Sequence, residues 1–344
     1  MRSTPGKTTV SAERERLRQL TATLGQNLET CAKEATVDAV HDVRTGTRRI
    51  EAMLDSILRE RIAPGSAPGS EPAAALREAA QSWQALLKKI RRTAAAVRDL
   101  DVHRRLLEKQ GLVKKEVESK ADAESPVSAE GPDEASTGNA SEPAYTVHQQ
   151  AADLDAWLKH ARQSHARPLM KAAPKWSARL EDALAAFEEA VGKVPRRRGA
   201  RSAAVVALEA FARLATQMER LDAGNLHDFR KGAKKARYMA ESGGEDPQAG
   251  AVGKALKRLQ DEIGDWHDWL VLAEEAQFAL GEKGAGLTAL IETERDRHYA
   301  LAMSITERMR GRLMGEWQAL SPPRRIRVRR AEGAVSAVSQ EKIS

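Results

Sequence analysis

The stretch Val40–Ile57 reads VHDVRTGTRRIEAMLDSI, and it decides the predicted fold because the chain repeats it. On a helix that turns by about 100° per residue, His41, Arg44 and Arg48 share one face. The opposite face is apolar and consists of Val43, Ile50, Met53, Leu54 and Ile57. The stretch therefore predicts a helix that buries one side and presents cations on the other.

The second copy runs from Leu226 to Gly243 as LHDFRKGAKKARYMAESG. His227, Arg230 and Lys234 take the positions of the first basic stripe, at an offset of 227 − 41 = 186 residues. Its apolar side consists of Phe229, Ala233, Ala236, Met239 and Ala240. One basic stripe is typical of a solvated helix face, whereas the same stripe at matching positions of two helices favours a binding surface.

Two further segments are also repeated. The basic stretch LLKKIRRTAAAVRDLDV around Lys88 aligns with the stretch around Lys257 at an offset of 257 − 88 = 169, and Asp99 then meets Asp268. A weaker match at an offset of 298 − 165 = 133 aligns Arg162 and His165 with Arg295 and His298. The order of helix, motif helix, basic helix and fourth helix thus occurs twice. We predict an all-α fold of two four-helix bundles related by a pseudo-two-fold axis.

Composition shifts divide the chain into three predicted parts. Residues 1–195 form the first half, interrupted at about 111–146 by an acidic insertion rich in Ser, Glu, Pro, Gly and Ala that predicts no fixed structure. Residues 196–322 form the second half, and residues 323–344 a basic and polar tail. The fourth helix of the first half contains Pro168 and Pro174, where we expect a break.

Charge and cysteine content narrow the class of protein. The chain has 344 residues, a formal net charge of +7 and a single cysteine, Cys31. One thiol, no recognisable signal peptide and no apolar run of transmembrane length predict a soluble cytoplasmic protein without membrane contact. A basic surface attracts polyanions such as nucleic acid or phosphate polymers. The sequence does not indicate an oligomeric state.

Side-chain chemistry favours a phosphate polymer among these polyanions. Arginine offers a planar fork of donors to phosphate oxygens, lysine a compact charge, and histidine a donor whose charge changes near neutral pH. Spaced at i, i+3 and i+7, these groups form a ladder that rises by about 1.5 Å per residue. Such a ladder can follow a polymer better than it can enclose a small molecule. Asp99 and Asp268 lie on the basic side of their helices, where we expect them to orient cations through salt bridges.

The duplicated VHDVRTGTRR and LHDFRKGAKK, each followed by a basic helix that ends in RDLDV or HDWLV, resemble the conserved histidine α-helical (CHAD) domain family. The resemblance covers nearly the whole chain apart from the insertion and the ends. It implies two four-helix bundles with a basic groove between them that binds inorganic polyphosphate, and association with polyphosphate granules. On that resemblance the ligand contacts are His41, Arg44, Arg48, Arg49, His227, Arg230, Lys234 and Lys235. Further candidates are Lys88, Lys89, Arg92, Lys257 and Arg258, followed by Arg162, His165, Arg295 and His298.

Two other classes of function compete with polyphosphate binding. The His-Asp dipeptides at residues 41–42, 227–228 and 267–268 resemble those of helical metal-dependent phosphohydrolases. Asp42, however, projects about 100° away from His41 on a helix, so the pair does not converge on one ion. Weak nucleic-acid binding is compatible with the RRIRVRR tail, but few aromatic residues are available for base stacking. We therefore expect a binding protein that is not an enzyme and needs no metal or cofactor.

Overall fold

The computed structural model describes residues 5–62, 70–114, 145–195, 202–243 and 246–320. These ranges contain eight α-helices and one short 3₁₀ helix at Gly281–Gly284, and no strand, which confirms the all-α prediction. The helices are α1 (Pro5–Lys33), α2 (Val37–Arg61), α3 (Glu71–Lys109), α4 (Val147–Gly192), α5 (Ala203–Gln217), α6 (Leu226–Glu241), α7 (Pro247–Leu280) and α8 (Ala285–Leu320). The predicted basic tail and residues 115–144 of the acidic insertion lie outside the described residues.

The first four helices share one apolar core. The rings of Trp83 on α3 and Phe187 on α4 meet edge to face with centroids 5.7 Å apart, and both side chains are fully buried. All five apolar residues predicted for the first motif helix are buried in this core. Thr36 caps α2 by accepting a hydrogen bond from the Ala39 amide, which sets the start of the helix. The cationic face of α2 is therefore held away from the core.

The last four helices enclose a second core. Phe211 on α5 and Phe229 on α6 meet edge to face with centroids 5.9 Å apart. Ala233, Ala236 and Ala240 of α6 are buried beside them, and Met239 is half-buried. The small alanine side chains allow α6 to pack closely against its neighbours, so the cationic face again points away from the core.

A third apolar cluster joins the two sets of helices. It contains Leu107 of α3 and Leu154 of α4 from the first set, and Trp269, Leu272 and Ile291 of α7 and α8 from the second. In addition, α2 packs against α6. The two motif helices are therefore neighbours in the folded chain.

Helix α4 is continuous from Val147 to Gly192, so the predicted break near Pro168 and Pro174 is wrong. Both prolines are exposed. The carbonyl groups that lose their amide partners can therefore be hydrated, while buried Leu169 and Trp176 hold the helix on the first core. Tertiary packing overrides the local helix-breaking preference here.

Candidate functional site

The contact between α2 and α6 brings four predicted site residues together: Arg44, Arg48, Arg230 and Lys234. We call them the central cation cluster. The charge of Arg44 acts on each of the other three side chains, two of which belong to the second set of helices. Equivalent residues of the two sequence repeats therefore lie within electrostatic range of one another, instead of on separate surfaces.

Lys234 shows the consequence of this crowding most clearly. Burial, followed by repulsion from Arg230, Arg48, Arg44 and Arg237, lowers the pKa of Lys234 to about 6. Among the described residues, no carboxylate forms an ion pair with its amine. An ammonium group in a desolvated position among like charges is unfavourable. Its free energy is lowered either by loss of its proton or by binding of an anion.

Three carboxylates border the cluster. Arg44 Nη1 donates to Asp99 Oδ1 at 2.6 Å, which confirms the salt bridge predicted for Asp99. Asp268 attracts Arg230, and burial raises the pKa of the Asp268 carboxyl. Asp99 and Asp261 also attract Arg230. Three carboxylates therefore stand near the four cations, and one of them, Asp268, has a weakened tendency to ionise.

Arg230 depends on a glycine of the neighbouring helix. Its Nε donates to the main-chain oxygen of Gln260 at 3.1 Å. A Cβ atom at Gly264 would lie 2.4 Å from Arg230 Nη2, so only glycine leaves room for the guanidinium against α7. Burial lowers the pKa of Arg230, and Asp268 counteracts that effect.

Arg48 lies near an aromatic residue of the other set of helices. The phenol of Tyr238 on α6 is close enough to affect the ionisation of the Arg48 guanidinium. Burial lowers the pKa of Arg48, while Tyr238 favours its charged form. Tyr238 thus links the first motif helix to the second.

The predicted histidines lie at the margin of the cluster. The rings of His227 and His267 are 3.9 Å apart between centroids. Burial, then the neighbouring His227 and Arg230, lowers the pKa of His267 to about 4. Desolvation and Arg98 lower the pKa of His41. These rings are neutral at pH 7, where they act as neutral hydrogen-bonding groups.

The other leading candidates are exposed. Lys88, Lys89 and Arg92 lie on α3, and they form no ion pair with any described residue. Arg49, Lys235 and Arg258 are likewise exposed. Lys257 pairs with Asp261 of the same helix at 2.5 Å. Their contact with a ligand stays a prediction.

The candidates from the weakest repeat have other surroundings. Arg162 donates to buried Asp101 at 2.5 Å and to the Ala35 carbonyl at 2.7 Å, so its guanidinium ties α4 to α3 and to the end of α1. The remaining three lie apart from it: His165 is exposed, Arg295 pairs with Glu292 and Asp296, and the ring of His298 lies 6.1 Å from that of Trp269. Among the described residues, no hydrogen bond or ion pair joins these four to the central cation cluster.

Sequence reasoning missed Arg98, Tyr238 and His267 as neighbours of the cluster. Arg98 lies close enough to Arg44 and Asp268 for their charges to act on it. Arg98 and His267 are separated by 267 − 98 = 169 residues, the offset that aligns the basic helices. The repeat therefore contained a signal for both. Tyr238 has no such signal, because Ala52 stands at the equivalent position, at 238 − 186 = 52.

Two structural features bear on metal-dependent catalysis and on membrane contact. Within the described ranges, no group of three or more His, Cys, Asp or Glu side chains is arranged to hold a metal ion. Among the same residues, no helix is both long and apolar enough to cross a membrane.

Comparison with known proteins identifies the family. The CHAD domain model matches residues 15–277, and the chain belongs to this family. The fold is similar to the crystal structure of the CHAD domain from the plant Ricinus communis, with a TM-score of 0.54 and 16% identity over 90% of this chain and 92% of that one. No curated protein matches the sequence.

Proposed function

We propose that this protein binds inorganic polyphosphate in a basic groove between two duplicated four-helix bundles. The observation that carries the proposal is the central cation cluster, in which Arg44, Arg48, Arg230 and Lys234 lie within electrostatic range of one another and repulsion from the arginines adds to burial in lowering the pKa of Lys234. A bound polyanion would relieve that repulsion. CHAD domains are often linked to polyphosphate, and membership of the family supports the choice of ligand.

A polymer suits the arrangement better than a single phosphate does. The cations come from two helices, and each helix also has exposed basic residues beyond the cluster: Arg49 on α2 and Lys235 on α6. Phosphate groups in a chain can occupy several of these positions at once, and each occupied position adds charge-assisted hydrogen bonds. Affinity should then fall steeply as salt concentration rises, because the interaction is largely electrostatic.

The proposal includes binding without catalysis, in the cytoplasm and on polyphosphate granules. It also divides the chain into halves at residues 1–195 and 196–322, related by a pseudo-two-fold axis. The two motif helices would then contribute equivalent cations from opposite sides of the groove. Release of orthophosphate from polyphosphate with added Mn²⁺ or Mg²⁺ would contradict the non-catalytic part.

Retention on polyphosphate resin at graded salt tests the site. Replacing Arg44, Arg48, Arg230 and Lys234 with alanine should abolish retention while circular dichroism shows unchanged helical content. The matched control removes four exposed cations from α4: Arg167, Lys171, Lys175 and Arg179. Both variants lose the same formal charge, so equal loss of retention would refute a localised site.

Competition separates polyphosphate from nucleic acid. Long-chain polyphosphate should displace bound duplex DNA at a much lower phosphate concentration than DNA requires to displace polyphosphate. The physical reason is that the cluster lies between helices, where a thin flexible chain fits and a rigid duplex does not. Equal potency of the two polymers would favour nonspecific polyanion binding.

A further inference from the structure

A second cationic site lies between the two sets of helices, at one end of the α2–α6 contact. It is a cleft of about 430 Å³ lined by residues of α1, α2, α6 and α7. We call it the interbundle cleft. Its cations are Arg16 from α1, Arg49 from α2, and Lys254 and Lys257 from α7. Arg16 lies outside the repeated basic segments. Lys254 has no basic counterpart in the first half, because Ala85 occupies the equivalent position, at 254 − 169 = 85.

The charges in the cleft are not balanced. Glu241 is the one acidic residue among the lining residues, and its Oε1 lies 3.2 Å from Nε of Arg237, outside the lining. Arg16, Arg49 and Lys254 form no ion pair with any described residue. The interbundle cleft therefore has an unsatisfied preference for an anion.

One wall of the cleft is apolar. Leu20, Ala52, Met53, Ala240 and Ala249 contribute to the lining. Tyr238 stands beside them with the Arg237 guanidinium 4.5 Å from its ring centroid. Gly250 also lines the cleft, and a Cβ atom there would meet no atom within 4 Å. Apolar surface next to cations is the pattern of a site for an anion with a nonpolar body.

We propose that the interbundle cleft binds a nucleoside polyphosphate, with the base against the Leu20 and Met53 wall and the phosphates on Arg49 and Lys254. An inorganic phosphate chain has no group that gains from contact with the apolar wall. A nucleotide combines a planar, poorly hydrated base with a charged tail, and thus matches both parts of the lining. This inference does not depend on polyphosphate occupying the central cation cluster.

Tyr238 separates the two sites. It lines the interbundle cleft, and its phenol lies close enough to Arg48 of the central cation cluster to favour the charged guanidinium. A ligand in the cleft would therefore lie one side chain away from the cluster. The experiment must consequently distinguish a nucleotide in the cleft from a nucleotide whose phosphates simply enter the cluster.

Calorimetric titration of the Arg44→Ala, Lys234→Ala double variant with ATP and with tripolyphosphate, in EDTA and about 0.15 M salt, tests the proposal, because this variant weakens binding of tripolyphosphate to the central cation cluster. Tripolyphosphate carries the same number of phosphates and more charge, so electrostatics alone would make it the tighter ligand. Contact of the base with the apolar wall should instead make ATP about tenfold tighter. ATP affinity equal to or below that of tripolyphosphate would overturn the proposal.

A steric variant locates the ligand without changing charge. Gly250→Leu places a side chain in the open space of the cleft and should weaken ATP binding by more than about tenfold. Gly311→Leu is the matched control, because Gly311 is also an exposed glycine within a helix with no atom near its added Cβ. It should leave ATP affinity unchanged. Lys254→Gln removes one charge from the same cleft with little change of volume, and it should also weaken ATP binding. This variant provides the test if Gly250→Leu does not fold.

The central cation cluster supplies the remaining comparison. A double variant, Arg44→Ala with Lys234→Ala, should change ATP affinity by less than about threefold, because salt screens charges beyond the cleft. Loss of ATP binding in this double variant with retention in Gly250→Leu would overturn the proposal and place the phosphates in the cluster. Retention on polyphosphate resin is measured separately, so failure of either proposed site leaves the other testable.

Discussion

Arg44 and Arg230 stand at equivalent positions of α2 and α6, yet the two halves of the molecule surround them differently. Arg44 binds the carboxylate of Asp99, whose side chain is 53% exposed. Arg230 instead donates to a main-chain carbonyl, and it faces Asp268, whose pKa is raised by burial. The first half therefore pairs its arginine with a hydrated carboxylate, whereas the second half places its arginine within electrostatic range of a carboxyl that ionises less readily.

The next position of the motif shows the same difference. Arg48 stays charged when buried, because guanidinium loses its proton only at very high pH and Tyr238 favours its charged form. Lys234 occupies the equivalent position, and its pKa is lowered to about 6. Two copies of one motif thus provide a permanent cation and a titratable one. This comparison teaches that sequence equivalence does not ensure electrostatic equivalence.

The largest expected effect is on polyphosphate affinity at pH 7.5, when the cluster cations of one motif helix are replaced at a time. Arg44→Ala with Arg48→Ala should weaken polyphosphate binding about a hundredfold, because two permanent charges are lost. Arg230→Ala with Lys234→Ala should weaken it about tenfold, because Lys234 is mostly neutral in the free protein. Dissociation constants measured with labelled polyphosphate provide the comparison, and equal losses would contradict the asymmetry.

The second effect is on stability without ligand. Lys234→Met should raise the free energy of unfolding by about 1–4 kcal/mol, since a buried group among like charges is replaced by an apolar one. Chemical denaturation measures the change. Lys235→Met is the matched control on the exposed side of α6 and should stay within about 0.5 kcal/mol. Destabilisation by Lys234→Met would show that the amine has a stabilising partner.

The third effect is a pH dependence that belongs to the second half alone. A phosphate beside Lys234 favours the ammonium form, so binding takes up a proton and affinity should rise up to about tenfold from pH 8.5 to 6.5. The rise should level off below a pH of about 6, where the free protein already holds the proton. Lys234→Arg should abolish the dependence because arginine stays charged. A pH profile that survives this substitution would assign the proton to another group.

The stability of the free protein should change with pH in the opposite sense. The pKa of Lys234 is about 6 in the folded chain and 10.5 without perturbation, so the unfolded chain binds more protons between these values. The free energy of unfolding should therefore fall as pH falls from 10.5 toward 6. Comparison with Lys234→Met isolates this contribution from that of other groups.

The smallest effect compares two equivalent glycines, Gly46 and Gly232, related by the same offset of 232 − 46 = 186. A Cβ atom at Gly232 would lie 2.5 Å from Leu214 Cδ1, whereas one at Gly46 would lie 3.3 Å from Leu24 Cδ1. Gly232→Ala should destabilise the protein by about 1–2 kcal/mol through overpacking. Gly46→Ala should cost less than about 0.5 kcal/mol, because the gain in helix propensity offsets a milder contact. Thermal unfolding measures the stability of both variants. A larger loss of stability in Gly46→Ala than in Gly232→Ala would contradict this order.

Particular residues show why some features were predictable from the sequence. The buried face of α2, from Val43 to Ile57, follows from a helical period that depends on neighbouring residues only. Asp99 was predictable as a partner for cations because it shares a helix face with them. The continuity of α4 through Pro168 and Pro174 was not predictable, since it depends on packing along the whole length of the helix.

The sequence by itself determined that this is an all-helical member of the CHAD family with two cationic helix faces, because periodicity and repetition are local properties of a chain. Only the tertiary structure decided that Arg48 lies near Tyr238, that Gly264 makes room for Arg230, and that arginines of the other half add to the crowding of Lys234. These features depend on distances between helices far apart in sequence. Burial and the mutual repulsion of charges depend on these distances, and a local pattern of residues does not specify them.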